Sequence, residues 1–298
     1  MDDAGHLPVL LDEALRLLAP AGKQVIVDCT VGLGGHAEAL LESAGGDATL
    51  IGIDLDGSNL LKTKERLMRF GLRVRLFEAD FADLDAVMDE AGVTSADVVL
   101  ADLGMASTQV DDPSRGFSFQ SDGPLDMRYS RSGRTAAEMV NTLGESELAD
   151  LIYRYGEDRH SRRIARSIVR ARQAGRIERT EQLARIVALA MPRKTGARWK
   201  IHPATRTFQA LRVAVNGELE SLQRLLEKIP GLLSVGGRAA VISFHSLEDR
   251  LIKRAFAAAA RTGTYRLLNK KPITAGNSEI QRNPRSRSSK IRAIERIH

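Results

Sequence analysis

The run VIVDCTVGLGGH, Val25 to His36, decides the fold: an apolar stretch closes on Asp28, and Gly32, Gly34 and Gly35 follow at once. β-formers ending in an acid, then a glycine turn, read as the first strand and ligand loop of a doubly wound α/β sheet, whose ligands sit beyond the carboxyl ends of the strands. Two cofactor types suit such a loop. Gly32-x-Gly34-x-x-Ala37 meets the loose dinucleotide fingerprint, with Asp54 about 20 residues further on to hold a ribose. Asp28, however, sets a negative charge beside the turn, where a dinucleotide needs room for its pyrophosphate. S-adenosylmethionine has no phosphate, and an acid there favours its ammonium and sulfonium. The second strand, ATLIGIDL (Ala48 to Leu55), serves either ribose, so Asp28 is what points to methyl transfer. The plainer alternative is a tight glycine turn capped by Asp28.

Outward from this segment the β/α alternation continues. A helix is expected near Ser58 to Phe70, a strand at Arg73 to Glu78, a helix near Leu84 to Ala91, and a fourth strand at Asp97 to Leu103. Residues 111–206 then lack strand signals and carry helical patterns such as Glu147 to Tyr155 and Ile164 to Arg172. From Phe208 the alternation resumes with a helix to about Lys228, a strand at Ala239 to Phe244, a helix from Leu247 to Ala260, and β-like runs at Tyr265 to Leu268 and Ile291 to Ile297. The simplest account is a sheet domain, residues 1–110 with 207–298, interrupted by a helical domain, residues 111–206. On composition alone the Arg/Ser-rich Arg282 to Lys290 reads as a solvated tail.

With 298 residues, 43% of them hydrophobic, the chain can bury a full core. The single cysteine, Cys29, excludes a disulfide scaffold and a cysteine-built metal site, and no metal is expected. The first residues show no signal-peptide h-region, and no stretch approaches the ~20 apolar residues of a membrane span, so a cytoplasmic protein is expected. The net charge of +6 hides a division: residues 1–110 hold 8 Lys+Arg against 19 Asp+Glu, residues 111–206 hold 19 against 12, and residues 207–298 hold 17 against 7. Between Arg159 and Arg206 there are 14 basic residues and only two acids, Glu178 and Glu181. A cofactor-binding first part is thus joined to a remainder suited to a polyanion.

DLGMASTQVDDPSRGFSFQSDGPLDMR (Asp102 to Arg128), HPATRTFQALRVAVNGELE (His202 to Glu220), SFHSLEDR (Ser243 to Arg250) and NPRSRSSKIRAIER (Asn283 to Arg296) closely resemble the family of ribosomal RNA small subunit methyltransferase H. With HLPVLLDE at His6 to Glu13 and the glycine loop, the resemblance runs nearly end to end. It implies a Rossmann-like, seven-stranded class I methyltransferase sheet with an inserted all-helical domain. It also implies S-adenosylmethionine-dependent methylation of the exocyclic N4 of a cytidine in the decoding region of 16S ribosomal RNA within the small ribosomal subunit. By motif, Gly34, Gly35 and His36 match the family's glycine-loop site, Asp54 its ribose acid, Phe81 its adenine-side residue, and Asp102 and Gln109 the site after the fourth strand. Met105-Ala106-Ser107-Thr108 departs from the family's usual valine, two serines and proline, which loosens the assignment of Gln109.

The chemistry asks mainly for positioning. A cytosine N4 lone pair is delocalised into the ring and must be localised by acceptors that hold the amino hydrogens. Asp102, at the top of the fourth strand, suits that acceptor role or a cofactor contact. His245 lines the pocket or merely starts a helix through Ser246. Methylation at C5 would need a cysteine nucleophile, and Cys29 has no second cysteine to resolve an adduct. The chain lacks the Asp/Asn/Ser-Pro-Pro-aromatic tetrapeptide of many amino-methyltransferases, so Phe117, Phe119, Tyr129 and Phe244 are the candidates to stack on the base, each also a natural core residue.

Arg162, Arg163, Arg166 and Arg170, with Lys194, Lys200 and Arg206 further on and Arg285 and Arg287 near the end, are the candidate RNA-binding residues. Helical spacing of arginines ordinarily means a solvated face, but a run this poor in acids is better explained by contact with RNA phosphate. His202, Thr205 and Arg206 would touch the target nucleotide or a domain seam. Two other functions are compatible with these residues: an amino-methyltransferase acting on DNA, and a non-catalytic RNA-binding assembly factor that keeps the cofactor fold. The sequence leaves room for a homodimer and requires none.

Overall fold

The computed structural model describes residues 7–22, 24–130, 132–192 and 202–298. The chain divides into two compact units, Met1–Gly104 with Leu219–His298, and Met105–Glu218. The first unit opens with α1 (Leu11–Leu18), β1 (Val25–Asp28), α2 (Gly35–Ala44), β2 (Thr49–Asp54), α3 (Gly57–Arg66), β3 (Val74–Glu78), α4 (Leu84–Glu90) and β4 (Ala96–Asp102). The second holds α5 (Ser107–Asp111), α6 (Ala136–Thr142), α7 (Glu145–Gly156), α8 (Ser161–Ala174), α9 (Thr180–Ala190) and α10 (Thr205–Asn216). After it come α11 (Glu218–Leu232), β5 (Leu233–Ser243), α12 (Ser246–Arg261), β6 (Tyr265–Leu267), β7 (Ile273–Thr274), α13 (Asn277–Arg282) and β8 (Lys290–Arg296).

The strands form one open, mixed sheet in the order β3-β2-β1-β4-β5-β8-β6. β3 through β5 run parallel, and β8 is antiparallel to both β5 and β6. The expected seven strands make up this path, and the two-residue β7 adds an eighth on β8. Helices cover both faces, so a central strand must be apolar on both. Ile26, Leu50, Val98 and Leu100 pack with Leu40 and Leu41 of α2, whereas Val27, Ile51, Val99 and Ala101 pack with Leu222 and Leu225 of α11 and Phe256 of α12. That two-sided burial is why β1 and β4 read as unbroken apolar runs.

Three expectations need correction. The helix expected from Phe208 to about Lys228 is two helices, because Gly217 adopts the left-handed conformation at φ 60 and closes α10 before α11 begins. The helix expected to Phe70 stops at Arg66 and gives way to a 3-10 turn over Met68–Arg73 that contains Gly71 at φ 59. Arg282 to Lys290 is no solvated tail: Ser286 and Ser289 are buried, the Ser286 hydroxyl donates to the Asn283 carbonyl at 2.7 Å, and Lys290 opens β8.

The second unit has its own core of Leu125, Val140, Leu148, Ile152, Ile164, Ile168, Leu183, Phe208 and Leu211. Ile164, Ala165 and Ile168 of α8 face this core, and the intervening arginines point to water. α10 is bound to the end of α7, where Gln209 Nε2 donates to the Tyr155 carbonyl at 2.9 Å. Because α10 supplies part of that core, this unit extends beyond the expected residues 111–206 at both ends.

Candidate active site

Three acids close three adjacent strands of the first unit. Asp28 of β1 lies in register with Gly52 of β2 and Leu100 of β4, so Asp54 and Asp102 stand one pleat further along the two flanking strands. Asp28 is 1% exposed. Its Oδ1 accepts from the Thr30 amide at 3.1 Å, and its buried Oδ2 has no hydrogen-bond partner. Burial pushes this carboxyl up to about 7, with the Thr30 bond pulling the other way and the Asp54 charge adding to the rise.

Asp54 ties the end of β2 to the glycine loop. Its Oδ2 accepts from Gly32 N at 2.9 Å and its Oδ1 from Asp56 N at 2.7 Å. Burial still raises it to about 6 against those bonds. The loop closes tightly: Gly34 has φ 79, and a Cβ on it would stand 3.1 Å from Thr63 Cγ2. The Thr63 hydroxyl in turn donates to the Gly32 carbonyl at 2.5 Å. Gly35 then opens α2, which carries His36.

Asp102 is held through its backbone amide, which donates to Thr30 Oγ1 at 2.6 Å. Its Oδ1 is buried without a partner, and its Oδ2 lies 3.7 Å from His36 Nδ1. Burial first, then the charges of Asp28 and Glu248, hold this carboxyl well above the usual carboxylate range. His36 Nε2 is 2.9 Å from the Val9 carbonyl. A carbonyl only accepts, so Nε2 donates, and the Nδ1 edge of the ring faces Asp102.

The other candidates are placed as follows. Phe81 begins the 3-10 turn Phe81–Asp83 after β3 and packs, partly buried, on the sheet core. That turn is pinned by Ser221 Oγ donating to Asp80 Oδ2 at 2.8 Å and by Lys228 Nζ donating to the Ala82 carbonyl at 2.6 Å. Gln109 belongs to the second unit, where it is 5% exposed and its Oε1 accepts from Ala106 N at 3.2 Å. His245 caps α12: its Nδ1 accepts from Glu248 N at 3.4 Å, and its Nε2 lies 3.2 Å from Glu248 Oε1 without the alignment of a hydrogen bond. Cys29 is buried, and burial together with the Asp28 charge pushes its thiol far up, so no thiolate is offered.

Sequence reasoning overlooked Glu248 and Thr30. Glu248 is 3% exposed and accepts from the amides of Phe244 and His245 at 2.8 and 3.1 Å. Its signal was the His245-x-x-Glu248 spacing of a capping box. Thr30 joins β1 to Asp102 through a hydroxyl, and its sequence position after Cys29 gave no hint of that.

In the second unit Phe117 stacks on Tyr129 at 5.3 Å between centroids, and Phe119 contacts both His202 and Phe208, at 4.7 and 4.8 Å. Phe244, in the first unit, lies where a Cβ on Gly104 would approach to 3.2 Å, and Gly104 has φ 137. Arg162, Arg163 and Arg170 of α8 are exposed and have no hydrogen bond or ion pair among the described residues. Arg166 is paired with Glu145 at 3.4 Å, and Arg206 donates to the Glu157 carbonyl at 2.9 Å. Arg285 and Arg287 are exposed on the 3-10 turn Pro284–Ser288 of the first unit, whereas Lys194 and Lys200 lie outside the described residues.

A buried carboxylate without a partner is costly. Asp28 Oδ2 and Asp102 Oδ1 are two such atoms at the carboxyl ends of neighbouring strands, and they suit a ligand that brings positive charge. Comparison with known proteins fits that chemistry. The model of the MraW methylase family matches residues 3–297. The chain is 47% identical to the ribosomal RNA small subunit methyltransferase H of Citrifermentans bemidjiense, over 100% of both chains. It is 48% identical to the proteins of the same name from Sorangium cellulosum, over 98% of this chain and 91% of that one, and from Oleidesulfovibrio alaskensis, over 98% and 95%.

Proposed function

The chain belongs to the MraW methylase family, and from that premise we propose how its residues work. It is an S-adenosylmethionine-dependent methyltransferase of small-subunit ribosomal RNA. The acceptor we assign is the exocyclic N4 of a cytidine in the decoding region of 16S RNA, presented by the assembled or nearly assembled subunit in the cytoplasm. The described residues include no helix long and apolar enough to cross a membrane.

The observation that carries the assignment is the pair of unpartnered buried oxygens on Asp28 and Asp102. Both fit the cationic end of S-adenosylmethionine, which when bound supplies an electrophilic methyl group on sulfonium. Asp28 would hold its charge, Asp54 the ribose hydroxyls through the remaining lone pairs, and Phe81 the adenine side, while Gly32, Gly34 and Gly35 let the backbone come close. His36 and Gln109 complete the set by motif.

Asp102 is the group placed to accept a hydrogen from the cytosine amine and so localise the N4 lone pair. The methylated nitrogen is strongly acidic, so its proton can pass to Asp102 or to water. His36 Nδ1, 3.7 Å from Asp102, is the ring nitrogen nearest that carboxyl. His245 holds the start of α12 and, through Glu248, the charge that acts on Asp102. Arg162, Arg163, Arg166, Arg170, Lys194, Lys200, Arg206, Arg285 and Arg287 are assigned to phosphate contact. The target base must leave its stack to be reached.

The test is transfer of radiolabelled methyl from S-adenosylmethionine to small subunits, naked ribosomal RNA and DNA, the ribosomal material coming from a strain that lacks this protein. Label recovered as N4-methylcytidine from ribosomal acceptors, with subunits preferred over naked RNA, is the expected result. Label in DNA alone, or none with the cofactor bound, would overturn the assignment of substrate. Light scattering on the same preparation decides whether the chain is a homodimer.

A further inference from the structure

The second half of α7 and the segment leading into α8 enclose a cleft of about 320 Å³, lined among others by Asp150, Tyr153, Arg159, His160, Arg162 and Arg163. That is the lower end of the range for small-ligand sites. The turn that carries His160 is held by Asp158, 3% exposed, whose Oδ1 accepts from His160 N at 2.8 Å. Arg159 Nε donates to His160 Nε2 at 3.3 Å, which leaves its charge without a carboxylate partner among the described residues. Arg162 and Arg163 have no ion pair there either.

Tyr153 is the feature that charge alone does not explain. It is 64% exposed, and among the described residues its ring packs on no other ring or cation and its hydroxyl has no partner. An exposed flat ring beside unpaired guanidinium groups is the combination by which proteins hold single-stranded nucleic acid, the ring taking a base and the cations its phosphates. A duplex keeps its base faces stacked and offers none to a ring at the surface. An acidic peptide would use the arginines and leave Tyr153 idle.

We infer that this cleft is a docking site for one unpaired nucleotide of the substrate RNA, its base on Tyr153 and its flanking phosphates on Arg162 and Arg163. Asp150 supplies an acceptor for a hydroxyl or amino hydrogen of the same nucleotide. The inference rests on the reading of the chain as an RNA methyltransferase, and it assigns the cleft a role in holding RNA away from the reacting base.

The experiment uses the full chain with a short fluorescent single-stranded RNA, followed by anisotropy over a salt series. S-adenosylmethionine binding and methyl transfer to small subunits are measured in parallel. Tyr153→Ala is expected to weaken RNA binding by about tenfold with the salt slope unchanged, because stacking releases no counterions. Tyr153→Phe should bind as the original chain does. Arg162→Ala and Arg163→Ala should each lower the salt slope by about one. Tyr153→Ala, Arg162→Ala and Arg163→Ala should raise KM for the subunit and leave cofactor affinity alone, whereas Tyr153→Phe should change neither. If the unaltered chain methylates subunits while Tyr153→Ala keeps full RNA affinity and KM, the cleft has no such role. If the unaltered chain methylates no ribosomal acceptor, the functional reading itself fails. An equal loss for Tyr153→Phe and Tyr153→Ala would likewise overturn base stacking, since the ring is retained in the first.

Discussion

Asp28 and Asp102 in the sheet unit, and Arg162, Arg163 and Arg170 on α8, are alike in one respect: each carries polar atoms without a partner among the described residues. They differ in where those atoms stand. The carboxylates are buried, and burial moves their pKa values upwards, whereas the exposed guanidiniums lose nothing by facing water. A buried unpaired acid creates a strong, specific demand for a cation, and an exposed arginine creates a weaker one that any phosphate can meet. The two regions are therefore expected to answer to different variables, pH in one and salt in the other.

The largest expected effect breaks the sheet side. Asp102→Ala should lower kcat for methyl transfer by about 10²–10³, the cost of losing one positioned acceptor at a developing charge. A fall in RNA affinity of the same size would show that the two regions are not separable. Charge reversal on the other side, Arg162→Glu with Arg163→Glu, should weaken RNA binding by roughly 10–100-fold at low salt and converge with the unaltered chain at high salt. Isothermal titration should find S-adenosylmethionine affinity unchanged in that variant.

A third measurement sharpens the contrast through pH. With Asp28 near 7 before ligand binds and ionised once a cation is beside it, cofactor affinity should rise about tenfold between pH 6 and 8. Asp28→Asn should bind more weakly and show a smaller rise. In the unliganded protein the sign is opposite: the folded pKa lies above the ordinary 3.8, so stability is full below about pH 4 and is lost as pH rises to about 7. Denaturant titration of the two proteins across that window should find a smaller loss in the variant, which keeps the raised carboxyls of Asp54 and Asp102. The smallest effect concerns Arg166, whose exposed pair with Glu145 is worth only about 0.3–1 kcal/mol. Glu145→Ala should free that guanidinium and raise RNA affinity by about twofold at low salt, with no change in kcat.

The parallel half of the sheet was legible because a strand buried on both faces is an apolar run, and β1, β2 and β4 each end on an acid of the proposed site. The break at Gly217 was not, since the apolar spacing continues from Phe208 into Leu222 and Leu225 across a glycine that any helix could in principle carry. Ser286 and Ser289 misled for another reason: composition describes solvated serines well, but these two are buried with their hydroxyls turned back on the chain. Within the site the acids could be read individually. Their mutual influence could not, because the charge of Glu248 on Asp102 joins residues far apart in sequence. Tyr153 was passed over inside a helical pattern, where exposure cannot be told from burial one residue at a time.

Cys29 has a practical consequence. Its sulfur is sealed within the first strand's turn and its proton is firmly held, so the folded chain presents no reactive thiol of its own to alkylating reagents. A single cysteine introduced on the surface of α8 could then carry a fluorophore or spin label at one defined place, with the native residue left untouched and the site chemistry undisturbed.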